Sequence, residues 1–95
     1  MALFVLVNND KPGSLALRLA TREAHLAYVQ SFGGQIKLGG PLLDHQGDMA
    51  GSLIILEVDT LGEAQAFSAN DPYALAGLFS QSQVLPFRMT LQNLE

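Results

Sequence analysis

The chain has 95 residues, of which 48% are hydrophobic and 15% are charged, and its formal net charge is −4 at pH 7. This composition argues against intrinsic disorder, and the five lysines and arginines form no basic stripe for nucleic acid or an anionic membrane surface. With no cysteine, the chain offers neither a disulfide nor a thiolate metal site.

The length predicts a single domain over residues 1–95. The first residues lack the basic segment and cleavage site of a signal peptide, and no apolar run approaches the ~18 residues of a membrane helix. We therefore expect a cytoplasmic protein. The apolar fraction is high for so small an interior, which favours an interface with a second copy of the chain.

The first predicted elements are a strand and a helix. Leu3 to Val7 is a short apolar run typical of a buried strand, and the turn-forming residues 8–13 are expected to end it. Ser14 suits the N-cap of the helix that follows, in which leucines recur at roughly helical spacing. Gly33-Gly34 is expected to stop this helix.

The middle of the chain predicts two strands joined by a polar loop. The first strand covers 35–38, and Gly39-Gly40-Pro41 is expected to break it. Glycines at this point also permit a ligand or another strand to approach the backbone closely. A polar loop over 42–51 then leads to an almost wholly apolar strand over 52–58.

This middle region contains residues that could form a metal site and a serine that could act as a nucleophile, and we interpret both as structural. Asp44, His45 and Asp48 could ligate a divalent ion, but their spacing matches no known metal-binding loop, so we expect an exposed hairpin without a metal. Ser52 has no base beside it in sequence and no nucleophile elbow around it, so we do not expect a nucleophile.

The last third predicts a helix, a short second helix and a strand. Asp59 or Thr60 can cap the first of these helices, with Glu63 three residues after Thr60 as a capping box requires. Asp71-Pro72 starts the short helix, because proline suits the first helical position. The final strand covers 84–91, and Pro86 places it at a sheet edge because proline lacks an N–H donor.

The resulting order, βαββαβ, is the ferredoxin-like arrangement of the α+β class. Its expected strand order is 4-1-3-2, so the two continuous apolar strands are central. Strands that are apolar on both faces imply that both faces of the sheet are covered. No third long helix is available, so we expect a homodimer in which a second copy covers the open face.

His25 and Asp71 are the residues best suited to acid–base chemistry. The neighbours of His25 favour partial burial, and an imidazole with an ordinary pKa of about 6.5 can shuttle protons at neutral pH. Asp71 could orient this imidazole or tune its pKa. Spacing alone leaves the structural alternatives open: a packed histidine and an aspartate that starts a helix.

Arg18 and Arg22 share one helical face with His25, at steps of four and three residues. Arg22 is a candidate for binding an anionic ligand, although the solvated side of a helix gives the same pattern for both arginines. Tyr73 can offer its hydroxyl group to a ligand, or it can simply pack half-buried.

A series of short motifs runs along the whole chain. They are Lys11-Pro12-Gly13-Ser14, Arg22-Glu23-Ala24-His25-Leu26, Gly39-Gly40-Pro41-Leu42, Gly51-Ser52-Leu53, Asn70-Asp71-Pro72-Tyr73 and Val84-Leu85-Pro86-Phe87. In this order and spacing the chain resembles the YciI-like (YCII-related) family. The resemblance implies a dimeric α+β barrel, in which the sheets of two chains pack face to face, and a pocket with a His–Asp pair that falls on His25 and Asp71.

The resemblance also indicates a kind of chemistry. The family includes a member that dehydrochlorinates a chlorinated hydroxyquinol, and similar folds host lactone isomerases and cofactor-free monooxygenases. We therefore expect acid–base chemistry on a small molecule without a cofactor, an elimination or an isomerisation, with His25 moving the proton and Asp71 orienting it. The expected substrate-binding residues are Arg22, Gly40, Pro41 and Tyr73. The alternative is a non-catalytic ligand-binding or accessory dimer with the same pocket.

Overall fold

The computed structural model describes residues 2–93. Its elements are β1 (Ala2–Asp10), α1 (Leu15–Gln30), a 3-10 turn (Gly33–Gln35), β2 (Ile36–Leu43), β3 (Met49–Val58), α2 (Leu61–Asn70), α3 (Pro72–Leu75) and β4 (Phe79–Phe87). All strand pairs are antiparallel, and the order across the sheet is β2-β3-β1-β4. This is the predicted ferredoxin-like α+β fold with the predicted 4-1-3-2 order. None of the helices in the described residues is long and apolar enough to cross a membrane.

The hydrophobic core lies between one face of the sheet and the helices. The central strands pair their core residues directly, with Phe4 opposite Leu56 and Leu6 opposite Ile54. Phe67 of α2 packs on this face and makes an edge contact with Phe32, which follows α1. Burial of these side chains fixes α1 and α2 against the sheet.

The opposite face of the sheet is apolar and is not covered by this chain. Val5 and Leu53 are half-buried there, and three larger side chains are more exposed: Leu38 at 38%, Leu85 at 48% and Phe87 at 38%. The four-stranded sheet is open and does not close into a barrel within one chain. A barrel of the kind that the family resemblance implies therefore needs a second chain.

β1 and β2 extend well beyond the predicted strands, and β3 begins at Met49 instead of residue 52, because pairing with neighbouring strands overrides local turn chemistry. β1 continues to Asp10, since Asn8 pairs with Ser52 on one side and Ser82 on the other. The prediction that Gly39-Gly40-Pro41 breaks the second strand is wrong, because β2 runs through all three residues. Proline is tolerated there because β2 is an edge strand.

The last strand begins earlier and ends earlier than the predicted 84–91. β4 starts at Phe79 because its polar residues 81–83 pair with β1, although nothing in their local pattern is typical of a strand. Pro86 lies on this edge strand, as expected.

The predicted loop over 42–51 is in fact a tight, exposed hairpin turn over 44–48. The carboxylate of Asp44 accepts hydrogen bonds from the backbone N–H groups of Gln46 and Asp48, at 2.9 and 3.0 Å. Asp44 thus has a structural role in the turn. Among residues 2–93, no group of three or more His, Cys, Asp and Glu side chains is placed to hold a metal ion.

The start of α2 agrees with the sequence prediction, whereas the start and the end of α1 differ from it in detail. Thr60 accepts a hydrogen bond from the backbone N–H of Glu63 at 3.2 Å, so of the two predicted candidates Thr60, and not Asp59, caps α2. Ser14 stands at the N-cap of α1, but its side chain makes no capping hydrogen bond. α1 ends at Gln30, ahead of the glycines expected to stop it, and Gly33 begins the 3-10 turn.

Candidate active site

A cavity of about 190 Å³ lies between α1 and the sheet. The site residues expected from sequence that line it are Arg22, His25, Gly40, Pro41 and Tyr73, and apolar side chains such as Leu26, Val29 and Ile54 supply much of the remaining wall. A protein cavity of about 150 Å³ accepts benzene, whereas pockets for drug-sized ligands run to roughly 300–1,000 Å³. The size therefore fits a molecule with a single ring.

His25 on the cavity wall is bound to Asp71 behind it. The Nδ1 atom of His25 lies 2.9 Å from Oδ1 and 3.1 Å from Oδ2 of Asp71. The two side chains are 12% and 3% exposed. Because an ionised carboxylate can only accept, Nδ1 donates the hydrogen in this contact, and a neutral imidazole held in this way has its lone pair on Nε2. This is the tautomer that a general base requires.

Asp71 also starts α3, so the structural and functional interpretations of this residue both apply. Its Oδ1 accepts the backbone N–H of Tyr73 at 2.9 Å, and Pro72 occupies the first turn. The N-cap position fixes the carboxylate relative to the helix backbone. The same atom can therefore hold His25 in one orientation.

Tyr73 lies between the imidazole of His25 and the guanidinium of Arg18. The Tyr73 and His25 rings are stacked, with centroids 4.1 Å apart, and the Arg18 guanidinium lies 4.5 Å from the Tyr73 centroid. Burial of Tyr73 raises the pKa of its phenol, and the charge of Asp71 adds to this, although Arg18 and Arg22 oppose it. Tyr73 is therefore a neutral, buried platform for the imidazole.

Arg18 is buried, so the interpretation of this residue as part of a solvated helix face is wrong. Its Nε and Nη2 atoms donate to the two carboxylate oxygens of Asp10, at 2.7 and 3.1 Å, and the side chains are 3% and 5% exposed. Burial lowers the pKa of Arg18, but the hydrogen bonds and charge of Asp10 outweigh it, so the pKa is raised overall. Arg18 also lines the cavity, where it supplies a fixed positive charge.

Arg22 is exposed and lines the cavity from α1. Within residues 2–93 it forms no salt bridge, so its charge is available to an anionic ligand. Gly40 and Pro41 line the cavity from β2. A Cβ atom at Gly40 would meet nothing within 4 Å, so protein packing does not demand glycine at this position.

Sequence reasoning missed two residues of this region. Asp10 was expected in a turn, and its contact with Arg18 depends on β1 continuing to the start of α1. Ser52 was considered only as a nucleophile, yet it lines the cavity from β3. For Asp10 the missing signal was the length of β1, which only pairing across the sheet determines. Ser52 lies in a strand that was predicted, but its place on the cavity wall depends on how α1 packs over the sheet.

Comparison with known proteins places the chain in a family. A sequence model of the YCII-related domain matches residues 2–88. Protein YciI of Escherichia coli is 37% identical over 94 residues, which cover 90% of this chain and 96% of that protein. An uncharacterized protein of Haemophilus influenzae is 31% identical over 93 residues, with 90% and 95% covered.

Solved structures agree with this placement. The 5-chloro-2-hydroxyhydroquinone dehydrochlorinase of Burkholderia phenoliruptrix, in complex with 2,5-dihydroxybenzoquinone, is 37% identical, with a TM-score of 0.84 over 90% of this chain and 93% of that chain. An antibiotic biosynthesis monooxygenase, 11% identical with a TM-score of 0.58 over 96% and 100% of the two chains, shares the fold alone. On the match of residues 2–88 and the identity to protein YciI, the chain belongs to the YCII-related (YciI-like) family.

Proposed function

We propose that the protein is a small-molecule enzyme that uses His25 to transfer a proton, with Asp71 as its partner and without a cofactor. The observation that carries this proposal is the short contact between His25 Nδ1 and the Asp71 carboxylate at the wall of a ring-sized cavity. The likeness to a dehydrochlorinase at 37% identity favours an elimination over an isomerisation.

In such an elimination, Nε2 of neutral His25 takes a proton from the substrate. The electron pair of the broken bond forms a new double bond, and the leaving group departs as an anion with its own bonding pair. The imidazolium that results is stabilised by the buried carboxylate of Asp71 through Nδ1–H, and it then returns the proton to water. Arg22 and Arg18 offset the negative charge of a phenolate or of the departing anion.

We further propose that the working form is a homodimer joined through the open face of the sheet. Support comes from the exposed fractions of Leu38, Leu85 and Phe87 on that face. Exposed apolar patches of this kind mark association surfaces in soluble proteins. Two such faces packed together would form the barrel that the family resemblance implies.

The test compares turnover by His25→Ala and His25→Gln with turnover by the wild type. The substrate panel consists of chlorinated hydroxyquinols, small phenols and lactones. We expect kcat to fall by about 10²–10⁴ in both variants, the usual size of a general acid–base contribution. Glutamine can keep a hydrogen bond to Asp71 but cannot carry the proton, so it separates proton transfer from ligand binding.

The chain offers a matched control, because its other histidine, His45, lies in the exposed hairpin turn. His45→Ala should leave kcat unchanged. A folded His25→Ala variant that turns over substrate at the wild-type rate would contradict the proposal, and the pocket would then be a binding site without catalysis.

A further inference from the structure

The cavity has a buried end and an open end. Tyr73 and Ile54, which line the buried end, are only 2% and 4% exposed. Two other lining residues are exposed to solvent: Leu26 of α1, at 42%, and Gly39 of β2. The cavity therefore opens to solvent between α1 and the edge strand β2.

Gly39 occupies the cavity face of β2 at this opening. It pairs with Ile54 of β3, whose side chain is buried on that face. Residues paired across antiparallel strands direct their side chains to the same face of the sheet. A Cβ atom built at Gly39 would accordingly lie 3.4 Å from Cγ1 of Ile54. A side chain at position 39 would therefore narrow the opening of the cavity.

The fold itself does not require glycine at position 39. Its backbone φ is not positive, and the contact that an added Cβ would make with Ile54 is an ordinary van der Waals contact. Gly51 is different, because a Cβ there would collide with the backbone carbonyl oxygen of Asn8. A glycine inside a strand weakens the strand, and it often marks a place where a ligand approaches the backbone closely. Packing thus explains Gly51, whereas a ligand explains Gly39.

The cavity wall next to Gly39 is otherwise formed by side chains. Ile36 and Pro41 line the cavity from either side of Gly39 in β2, and Leu26 lines it from α1. The gap at Gly39 is therefore bounded by strand backbone and by apolar side chains. These walls suit an unbranched apolar chain, which buries its surface there without leaving a polar group unpaired.

We propose that Gly39 determines which substrates the cavity admits, by keeping open a passage through which an apolar side arm of the substrate reaches solvent. The ring of such a substrate lies inside the cavity beside His25, and its arm passes between Gly39 and Leu26. A closed cavity of about 190 Å³ would have no room for both. The inference rests on the function proposed above, because it takes the cavity as the substrate site.

The experiment compares, by NMR titration, the binding of 2,5-dihydroxybenzoquinone and of its 3-butyl derivative. The butyl arm is the probe of the passage, because the cavity has room for little more than the ring. We expect the wild type to bind both compounds. Gly39→Leu should bind the butyl derivative at least about tenfold more weakly, because its side chain occupies the passage, and should bind the parent within about threefold of the wild type. Gly39→Ala should show a smaller loss of the same kind.

A second change tests the passage from its other wall. Leu26→Ala widens it, so the double variant with Gly39→Leu should recover part of the lost affinity for the butyl derivative. Gly39→Ala should have an unchanged or higher urea midpoint, because alanine loses less conformational entropy than glycine when the chain folds.

Gly34 provides the matched control. It is exposed, its φ is not positive, a Cβ atom there would meet nothing within 4 Å, and it does not line the cavity. Gly34→Leu should change the affinity for neither compound.

Equal affinity of the wild type and the Gly39 variants for the butyl derivative would overturn the inference. So would an equal loss for both compounds, a wild type that does not bind the butyl derivative, or a lower urea midpoint for Gly39→Ala, which would mean that the fold needs the glycine. Gly39→Ala decides the matter if Gly39→Leu does not fold. Failure of the proposed proton transfer would be seen separately, in the turnover of the His25 variants.

Discussion

Asp71 and Tyr73 lie two residues apart at the start of α3, and both contact the imidazole of His25, Asp71 at its edge and Tyr73 on its face. Oδ1 of Asp71 accepts the backbone N–H of Tyr73 at 2.9 Å, and the same carboxylate binds His25 Nδ1. The Tyr73 ring covers the face of the imidazole, 17° from parallel. One helical turn therefore fixes both the orientation and the charge environment of the imidazole.

Replacing Asp71 should separate its capping role from its effect on His25. Asn is also a good N-cap, so Asp71→Asn should change the free energy of unfolding by less than about 1 kcal/mol. It removes the charge that stabilises the imidazolium, so kcat should fall. Asp71→Ala loses the cap as well and should cost about 1–3 kcal/mol.

Urea unfolding and a pH–rate profile of the three proteins measure these effects. An Asn variant with wild-type kcat would show that the charge of Asp71 plays no part in turnover. An Ala variant as stable as the wild type would argue against the cap.

Breaking the Arg18–Asp10 pair should be costly, because it leaves a buried charge without its partner. We expect Arg18→Ala or Asp10→Ala to lower the free energy of unfolding by about 3–5 kcal/mol. The double variant should lose less than the sum of the two single changes, since neither charge is then stranded.

Lys37 and Glu57 form the control for this prediction. Their side chains are 41% and 28% exposed, so Lys37→Ala should cost no more than about 1 kcal/mol. Additive losses in the Arg18 and Asp10 variants, measured by urea denaturation, would mean that the two side chains do not interact.

The two tyrosines should ionise at higher pH in the folded protein than in the unfolded chain. Burial of Tyr28 raises the pKa of its phenol from 10.0, with a contribution from the charge of Asp71, and the pKa of Tyr73 is raised as well. The folded state thus keeps protons that the unfolded state loses. This contribution to stability is fully present below pH 10 and is lost as the pH rises through the folded pKa values.

Near-ultraviolet absorbance titration detects both phenolates directly, with and without urea. Tyr28→Phe leaves Tyr73 as the one remaining tyrosine, so the two signals can be assigned. A folded protein whose phenols titrate at pH 10 would disprove this prediction.

The homodimer should be seen by light scattering at micromolar concentration. The mass of a single chain is 10.2 kDa, so the expected value is twice that. Leu85→Glu places a charge on the exposed apolar face and should shift the protein toward the monomer, because an interface core disfavours charge. A wild-type protein of monomer mass would rule out the proposed interface.

Much of the fold could be predicted from the sequence because its signals are local or periodic. The apolar runs of β1 and β3, the Thr60 cap and the Asp71-Pro72 helix start each need only a few neighbouring residues. The strand order followed from the sequence of elements. The ends of the strands could not be predicted in this way, because they depend on partners distant in the chain.

Some residues of the candidate site could likewise be predicted from the sequence, and others could not. His25 and Asp71 could be named from their residue types and from the family motifs, although 46 positions separate them. Arg18 could not be assigned, since its burial depends on the length of β1. The place of Ser52 on the cavity wall could not be assigned either, because it depends on how the helices pack on the sheet.

Both outer strands of the sheet contain an exposed proline, Pro41 in β2 and Pro86 in β4. Free strand edges are the usual starting points of fibre growth and aggregation, and proline interrupts their row of backbone donors. The prolines therefore hinder the edge strand of one molecule from pairing with the edge strand of another. In the proposed dimer, two copies meet instead through the apolar face of the sheet, and their contact leaves no free face for a third copy.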